Sequence, residues 1–187
     1  MAAQTVLILD FGGQYKELIA RRVRECGVYS IVKPGDISLD KIREIDPIGI
    51  ILTGGPNSVY EKESPHCDKA IFDIGIPVLG ICYGMQLLSW SLGGEVAPCS
   101  SSEYGGRSSG ISSQSQVSTD SPLFAGLAPA QIGLMSHTDQ VTKLPAGFRS
   151  IAHTVSCENA AIENAAKKLY GFQFHPEVES TPNGTAM

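Results

Sequence analysis

The sequence lacks the features that would place it in a disulfide-rich, zinc-binding or membrane class. Its five cysteines are odd in number and show no CxxC spacing, so neither a disulfide framework nor a zinc site is expected, and a reducing compartment fits better. Long apolar runs are also missing. The first run, residues 6–9, is too short for a signal peptide or a membrane span. We therefore expect a cytoplasmic protein with no membrane partner.

Positive charge is scarce as well. The formal net charge is −5, and the densest basic cluster is Arg21-Arg22-Val23-Arg24 on a predicted helix. This pattern is typical of a solvated helix face, so nucleic acid is not an expected partner. Hydrophobic residues make up 42% and charged residues 18% of the chain, a balance typical of globular proteins. The length of 187 residues predicts one domain over 1–187.

The first half alternates apolar runs with helical patterns, which predicts an α/β fold with a doubly wound, mostly parallel sheet and helices on both faces. The predicted strands cover 5–10, 29–32, 48–52 and 77–81, and the predicted helices cover 15–26, 39–45, 65–74 and 87–92. After Gly94 short strands at 131–135, 141–144, 148–153 and 169–174 predict a smaller antiparallel section. Ligands of such sheets bind beyond the carboxyl ends of the parallel strands.

Two stretches resist this interpretation. Residues 100–118 contain nine serines, a composition that predicts a flexible loop. Residues 158–168 are rich in alanine, and propensity alone would predict a helix. A strand ending near 162, a turn and a second strand from Leu169 is the alternative that we prefer.

Gly80-Ile81-Cys82-Tyr83-Gly84 has the spacing of a strand–turn–helix nucleophile elbow. Such a turn strains the backbone of its nucleophile, so the residues two before and two after it must lack a Cβ atom. The helix N-terminus beyond Cys82 would favour a thiolate, and the Tyr83 N–H would face the oxygen of an attacked carbonyl. The competing interpretation is a buried structural cysteine between two chance glycines.

His175-Pro176-Glu177 is the second informative stretch, just past a predicted strand. Pro176 favours extended geometry at His175, and residues i and i+2 of an extended chain point to one side. Glu177 could therefore orient His175, giving a nucleophile, base and acid with Cys82. A surface turn without function is the competing interpretation. The acid follows the histidine, whereas in α/β-hydrolases it precedes it, so an esterase or lipase is not expected.

With both motifs placed, the chain resembles the class I (triad) glutamine amidotransferases over nearly its whole length. Within that class it looks most like the glutaminase domains of GMP synthetases, on the evidence of Tyr83 and Met85, the segment 53–60 and the segment 135–139. The resemblance implies a Cys82–His175–Glu177 triad that hydrolyses glutamine through a glutamyl thioester. It also implies an oxyanion hole at Gly55 and Tyr83, and substrate-binding positions at Gly54, Gln86, Ser136 and His137.

The resemblance further implies a partner, the ATP-pyrophosphatase domain or subunit of a GMP synthetase, which uses the ammonia to convert xanthosine monophosphate to GMP. ATP and Mg²⁺ would belong to that partner, and no metal or cofactor is expected in this domain. The 187 residues contain no ATP-pyrophosphatase or dimerisation domain, and they stop before the helix that usually closes the glutaminase domain. An excised domain or a separate subunit would fit this equally. The alternative functions are a γ-glutamyl hydrolase or peptidase-like relative and an inactive regulatory module.

Overall fold

The structure is a computed structural model that describes residues 4–99 and 111–187. Its first half alternates strands and helices as expected. The elements are β1 (Thr5–Asp10), α1 (Lys16–Glu25), β2 (Tyr29–Pro34), α2 (Leu39–Ile45), β3 (Gly49–Leu52), a 3-10 helix (Lys69–Asp73), β4 (Val78–Ile81) and α3 (Tyr83–Ser91).

The second half consists mainly of strands. They are β5 (Glu95–Pro98), β6 (Ile111–Val117), β7 (Ala130–Met135), β8 (Asp139–Lys143), β9 (Arg149–His153), β10 (Ala161–Asn164) and β11 (Leu169–Phe172), with a 3-10 helix at Pro122–Phe124. The short strand β5 has no counterpart among the strands that the sequence predicts.

Within the described ranges, one nine-stranded sheet runs in the order β2-β1-β3-β4-β11-β10-β9-β6-β7, and β5 pairs with β8 in a separate two-stranded sheet. The strands from β2 to β11 pair in parallel, and those from β11 to β7 pair antiparallel. The predicted α/β class with a parallel sheet and an antiparallel section is confirmed. β11 joins the two parts, because it is parallel to β4 on one side and antiparallel to β10 on the other.

Side chains of β1 show why helices cover both faces of the parallel part. Leu7 and Leu9 pack on one face in a cluster with residues of α2 and α3. Ile8 packs on the other face with Ile19 and Ala20 of α1. All three β1 side chains are fully buried, and each such burial stabilises the fold by about 1.5–3 kcal/mol.

The predicted helix over 65–74 is wrong. The chain forms only the 3-10 helix at Lys69–Asp73. The carboxylate of Asp68 accepts a hydrogen bond from the Ala70 N–H at 2.9 Å, which starts the helix late. Gly75, at φ +81°, and Pro77 follow soon after, so little chain is left for a longer helix.

The predicted loop over 100–118 is wrong for its second part, and residues 100–110 lie outside the described residues. β6 pairs with β7 along most of its length and with β9 near its end. Ser115 is buried there, and its Oγ lies 3.4 Å from the Gln131 carbonyl oxygen. A serine with a satisfied hydroxyl fits this position in the sheet, so pairing with neighbouring strands overrides the loop-like composition.

The preferred prediction for residues 158–168, a strand followed by a turn and a second strand from Leu169, is confirmed. β10 and β11 are an antiparallel pair with Asn164 opposite Leu169. Lys168 closes the turn at φ +57°. The alanines in this stretch are compatible with a strand because Ala160 and Ala161 are fully buried in an apolar cluster that includes Phe172 and Phe174, where side-chain packing outweighs helix propensity.

Candidate active site

A cavity of about 400 Å³ lies beyond the carboxyl ends of the parallel strands. Of the residues that the sequence singles out, Gly54, Gly55, Cys82, Gln86, Ser136, His137, His175 and Glu177 line this cavity. Tyr83 is not a lining residue. Its hydroxyl donates a hydrogen bond to the Pro65 carbonyl oxygen at 2.6 Å, and burial raises the pKa of Tyr83 to about 12. Any contact of Tyr83 with a ligand would therefore come from its backbone.

Cys82 sits in a strained turn between β4 and α3, with φ 52° and ψ −108°. Such angles are rare for a residue with a side chain and cost about 1–3 kcal/mol. The two flanking glycines make the turn sterically feasible. A Cβ on Gly80 would lie 2.4 Å from the Gly84 carbonyl carbon, and one on Gly84 would lie 2.3 Å from the Leu52 carbonyl oxygen. This is the backbone geometry of a nucleophile elbow.

The backbone and the sulfur of Cys82 have separate hydrogen-bond partners. The Cys82 N–H donates to the Phe172 carbonyl oxygen at 2.6 Å, which ties the turn to β11. Cys82 Sγ lies 3.7 Å from the Ser136 carbonyl oxygen and 3.6 Å from Nε2 of Gln173. The residue is only 6% exposed, and the cavity supplies its access to small molecules.

His175 and Glu177 form a buried pair, with 2.7 Å between His175 Nδ1 and Glu177 Oε1. The His175 N–H donates to the Leu134 carbonyl oxygen at 3.0 Å. The hydroxyl of Thr181 donates to the His175 carbonyl oxygen at 2.6 Å. The ring of Tyr15 meets the imidazole edge-on, with 5.3 Å between ring centroids. These contacts hold the imidazole in one orientation at the rim of the cavity.

The environment of His175 favours the imidazolium. Burial alone would lower its pKa, but hydrogen bonds to Cys82 and Glu177, together with the charges of those two residues, raise the pKa of His175 to about 10. Because Cys82 and Glu177 both raise the pKa of His175, their positions beside the ring favour the protonated imidazole.

Glu177 is held mainly through its backbone and one carboxylate oxygen. Nε of Arg22 in α1 donates to the Glu177 carbonyl oxygen at 3.0 Å. Glu177 Oε2 is buried and has no hydrogen-bond partner among residues 4–99 and 111–187. The carboxylate therefore keeps one acceptor oxygen available in the described part of the protein.

Two backbone amides near Cys82 suit the role of anion donors. Tyr83 is the first residue of α3, and the first amides of a helix have no intrahelical acceptor. Gly55 lines the cavity in the loop after β3. In the described ranges neither the Gly55 N–H nor the Tyr83 N–H donates a hydrogen bond. Both amides can therefore receive an acceptor from a ligand.

The segment before β8 and the start of that strand also line the cavity. Nδ1 of the buried His137 lies 3.0 Å from the Asp139 carbonyl oxygen and 3.4 Å from Cys99 Sγ. Nε2 of Gln86 donates to that same Asp139 carbonyl oxygen at 2.8 Å. The carboxylate of Asp139 accepts hydrogen bonds from the hydroxyls of Ser58 and Tyr60. The loop after β3 is thereby fastened to the start of β8.

Several site residues escape sequence reasoning, namely Tyr15, Arg22, Gln173 and Thr181, and Asp139 has no role assigned from sequence alone. Arg22 reaches the Glu177 carbonyl oxygen from 155 positions away in the chain, so no local pattern reveals it. Thr181 bonds the His175 carbonyl oxygen across six positions, a spacing that matches no motif in the sequence analysis. Gln173 did leave a signal. It is a polar residue between two phenylalanines at the end of a predicted buried strand, and buried amides require partners.

No helix in residues 4–99 and 111–187 has the length and apolar character needed to cross a bilayer. Within the same ranges, no group of three or more His, Cys, Asp or Glu side chains is arranged to hold a metal ion.

The family model described as glutamine amidotransferase class-I matches residues 7–187, which is nearly the entire chain. The chain belongs to this family. Among its relatives, a protein from Clostridium botulinum named GMP synthase [glutamine-hydrolyzing] is 52% identical over 187 residues, covering 100% of this chain and 35% of the relative. A protein of the same name from Caldanaerobacter subterraneus is 53% identical over 182 residues, covering 97% of this chain and 34% of the relative. This amidotransferase chain thus spans about a third of the length of the curated relatives it matches.

Solved structures agree with the family membership. A crystal structure from Thermoplasma acidophilum, provisionally described as one subunit of a GMP synthase, has a TM-score of 0.85 at 28% identity, covering 100% of this chain and 90% of that protein. A glutamine amidotransferase structure from Thermotoga maritima has a TM-score of 0.72 at 21% identity, covering 95% of this chain and 78% of that one, and it supports the fold alone. The chain is therefore an amidotransferase domain homologous to the glutaminase part of GMP synthases.

Proposed function

We propose that the chain hydrolyses glutamine to glutamate and ammonia with Cys82 as nucleophile, His175 as general acid and base, and Glu177 as the group that orients His175. One observation carries the proposal: Cys82 occupies a strained turn at a cavity whose rim holds the buried His175–Glu177 pair. A structural cysteine would gain nothing from the strained backbone, whereas a nucleophile gains an aimed sulfur.

In the first half-reaction the Cys82 thiolate attacks the side-chain carbonyl carbon of glutamine and forms a C–S bond. The carbonyl oxygen becomes an oxyanion in the tetrahedral intermediate. When the C–N bond breaks, the His175 imidazolium gives its proton to the departing nitrogen, so ammonia leaves and the imidazole becomes neutral. The product on the protein is a glutamyl thioester.

In the second half-reaction water attacks the thioester while neutral His175 takes its proton. The C–S bond breaks, glutamate leaves and the thiolate–imidazolium pair is restored, so the cycle balances without a metal ion or cofactor held by this domain. Oxyanions in both halves would accept hydrogen bonds from the Gly55 and Tyr83 amides, and such a donor is worth about 3 kcal/mol in hydrolases.

The remaining cavity residues would hold the amino-acid end of glutamine. Gly54, Gln86, Ser136 and His137 line the cavity beside Cys82. Both protons of the Gln86 amide nitrogen face protein acceptors, the Asp139 carbonyl oxygen and Gln173 Oε1. A ligand would therefore meet the Gln86 carbonyl oxygen, which can accept a hydrogen bond from an ammonium group.

The ammonia would serve the amination of xanthosine monophosphate to GMP by a synthetase domain or subunit. Support comes from relatives about 52% identical over the whole chain that carry the name GMP synthase [glutamine-hydrolyzing] and are about three times longer. ATP and Mg²⁺ would bind to that ATP-pyrophosphatase partner.

The deciding experiment is intact-mass analysis after incubation with 6-diazo-5-oxonorleucine, a glutamine mimic that alkylates activated thiolates. The expected result is a single adduct that maps to Cys82, is prevented by excess glutamine and is absent from Cys82→Ala. Release of ammonia from glutamine should be lost in the same variant. Adducts spread over the other four cysteines, or wild-type glutamine hydrolysis by Cys82→Ala, would contradict the mechanism.

Two further readouts separate the alternatives. Faster turnover of γ-glutamyl peptides than of glutamine would indicate a γ-glutamyl hydrolase, and binding of a synthetase without labelling of Cys82 would indicate a regulatory module. Addition of an ATP-pyrophosphatase partner with xanthosine monophosphate, ATP and Mg²⁺ should yield glutamine-dependent GMP. If ammonium salts but not glutamine support GMP formation, the proposed supply of ammonia is wrong.

A further inference from the structure

Gln173 is a buried polar residue that the proposed mechanism does not use. It follows β11 directly, its side chain is fully buried, and its N–H donates to the Ala160 carbonyl oxygen at 2.9 Å. Its neighbours Phe172 and Phe174 stack with 4.8 Å between ring centroids. An amide in such surroundings is costly unless its oxygen and nitrogen both have partners.

The partners of the Gln173 amide are two residues of the cavity. Nε2 of Gln173 lies 3.6 Å from Cys82 Sγ. Oε1 of Gln173 accepts a hydrogen bond from Nε2 of Gln86 at 3.3 Å. Gln173 thus connects the sulfur to a residue of α3 that lines the same cavity.

Chemistry fixes which end of the Gln173 amide faces the sulfur. The Asp139 carbonyl oxygen can only accept hydrogen bonds, so the Gln86 amino group must be the part of that side chain that faces it, at 2.8 Å. The same amino group then requires the oxygen of Gln173 as its second acceptor. The Gln173 amino group is left facing Cys82. The hydrogen bonds of Gln86 therefore determine which end of the Gln173 amide is the nitrogen, and the flipped amide is excluded.

An N–H donor and a carbonyl acceptor at one sulfur favour different protonation states. The Gln173 amino group stabilises a thiolate, because hydrogen bonds to an ionised acceptor are stronger than those to a neutral one. The Ser136 carbonyl oxygen, 3.7 Å from Sγ, can interact favourably only with the thiol, through its S–H. Gln173 therefore provides, in addition to His175, a fixed hydrogen-bond donor that favours the thiolate of Cys82 over the thiol.

We propose that Gln173 is a positioning residue that holds the Cys82 sulfur as an aimed thiolate, and that Gln86 and the Asp139 carbonyl keep its amide in the donor orientation. The inference deepens the proposed function, because the relevance of the thiolate to glutamine hydrolysis rests on it. The series of hydrogen bonds from the Asp139 carbonyl through Gln86 and Gln173 to Cys82 is a property of the folded chain, and its effect can be measured without glutamine.

The test measures the rate at which iodoacetamide alkylates Cys82 as a function of pH, followed by peptide mapping so that the other four cysteines act as internal references. Gln173→Met keeps the approximate length of the side chain and removes the donor. We expect the midpoint of the rate profile to move up by about one pH unit, which lowers the rate below the midpoint about 10-fold. Gln173→Glu, which replaces the donor by an acceptor, should shift the midpoint at least as far.

Gln131→Met is the matched control. Gln131 is equally deep in the protein, at 3% exposure, and its amide makes two hydrogen bonds, to the Ala128 carbonyl oxygen at 2.7 Å and from Asn183 at 2.8 Å. It makes no contact with Cys82. Its substitution should lower the melting temperature much as Gln173→Met does while leaving the alkylation profile in place.

A Gln173→Met profile that superimposes on the wild type, or an equal shift in Gln131→Met, would overturn the proposal. If Gln173→Met does not fold, Gln86→Met is the variant to test. It leaves the Gln173 amide free to rotate and should slow the alkylation of Cys82 about 3-fold. An unchanged alkylation profile in Gln86→Met would overturn the proposal. Failure of the two ideas is distinguishable. Wild-type glutamine hydrolysis with no Gln173 effect removes only this inference, whereas a Gln173 shift without labelling by 6-diazo-5-oxonorleucine removes only the proposed function.

Discussion

The two sides of the candidate site are built in different ways. The Cys82 side comes from the parallel part of the sheet and is shaped by backbone, through a strained turn and two glycines that leave no room for a side chain. The His175 side follows β11 and is shaped by hydrogen bonds: the His175 backbone N–H donates to the Leu134 carbonyl oxygen, the Thr181 hydroxyl donates to the His175 carbonyl oxygen, and His175 Nδ1 pairs with the Glu177 carboxylate. One side is fixed by steric fit and the other by buried polar contacts.

The difference predicts how each side responds to substitution. Substitution of the glycines on the Cys82 side should unfold the protein, because a clash with main-chain atoms cannot relax locally. Polar positions of the other side should keep the fold and change the protonation behaviour of the site, because their contribution is electrostatic. The following substitutions test this contrast.

Gly84→Ala should have the largest effect. The new Cβ would lie 2.3 Å from the Leu52 carbonyl oxygen, so the elbow must open, and we expect a loss of about 3 kcal/mol or more in the free energy of unfolding. Gly49→Ala is the control, since its Cβ would lie 3.9 Å from the Pro77 carbonyl oxygen. Urea unfolding of both variants measures the difference. Similar stability of the two would contradict the steric account.

Glu177→Gln should leave the fold intact and move the pH profile. Burial opposes the charge on His175, while Cys82 and Glu177 together raise the pKa of His175 to about 10. A raised pKa stabilises the folded state fully below the ordinary value of 6.5, and this stability is lost as the pH rises through about 10. Without the carboxylate, that loss and the alkaline decline of glutamine hydrolysis should both begin about one pH unit lower.

The measurement for Glu177→Gln is the melting temperature and the rate of ammonia release between pH 6 and pH 10.5. Glu158→Gln serves as its control because Glu158 is exposed. If the alkaline decline in Glu177→Gln begins at the same pH as in the wild type, Glu177 does not support the imidazolium.

Cys82→Gly and Cys82→Ala should both be inactive but should differ in stability. Alanine retains the strain at φ 52° and ψ −108°, whereas glycine relieves it, so we expect Cys82→Gly to be the more stable by about 1–2 kcal/mol. Chemical unfolding with both variants in one buffer measures this difference. Equal stabilities would mean that the turn is not strained.

Tyr60→Phe should have the smallest effect. It removes the hydrogen bond of 2.9 Å to the buried Asp139 carboxylate and leaves the bond from Ser58, so we expect a loss of about 1 kcal/mol. The KM for glutamine should rise a few-fold with little change in kcat, because the loop after β3 and the start of β8, which Asp139 connects, both line the cavity. Tyr29→Phe, at an exposed tyrosine of β2, is the control. A larger fall in kcat than rise in KM would place Tyr60 in the chemistry itself.

Sequence reasoning was most successful where local pattern and tertiary environment agree. The apolar runs of β1 and β4 are buried on both faces and could be assigned from composition, as could the glycine spacing around Cys82. It failed at 65–74, where an Asp68 cap and a following glycine shorten the helix, and at Ser115, whose place in the sheet depends on strands distant in sequence.

By itself the sequence determined the parallel βα alternation, the elbow and the adjacency of His175 to Glu177, because these depend on spacings of a few residues that backbone geometry converts directly into structure. Tertiary structure alone decided that the Asp139 carbonyl orients Gln86, that Gln86 orients Gln173, and that Arg22 and Thr181 fix the chain around the histidine. Those contacts join segments up to 155 positions apart. Hydrogen bonds of this kind depend on distances between atoms in the folded chain, which no local sequence pattern encodes.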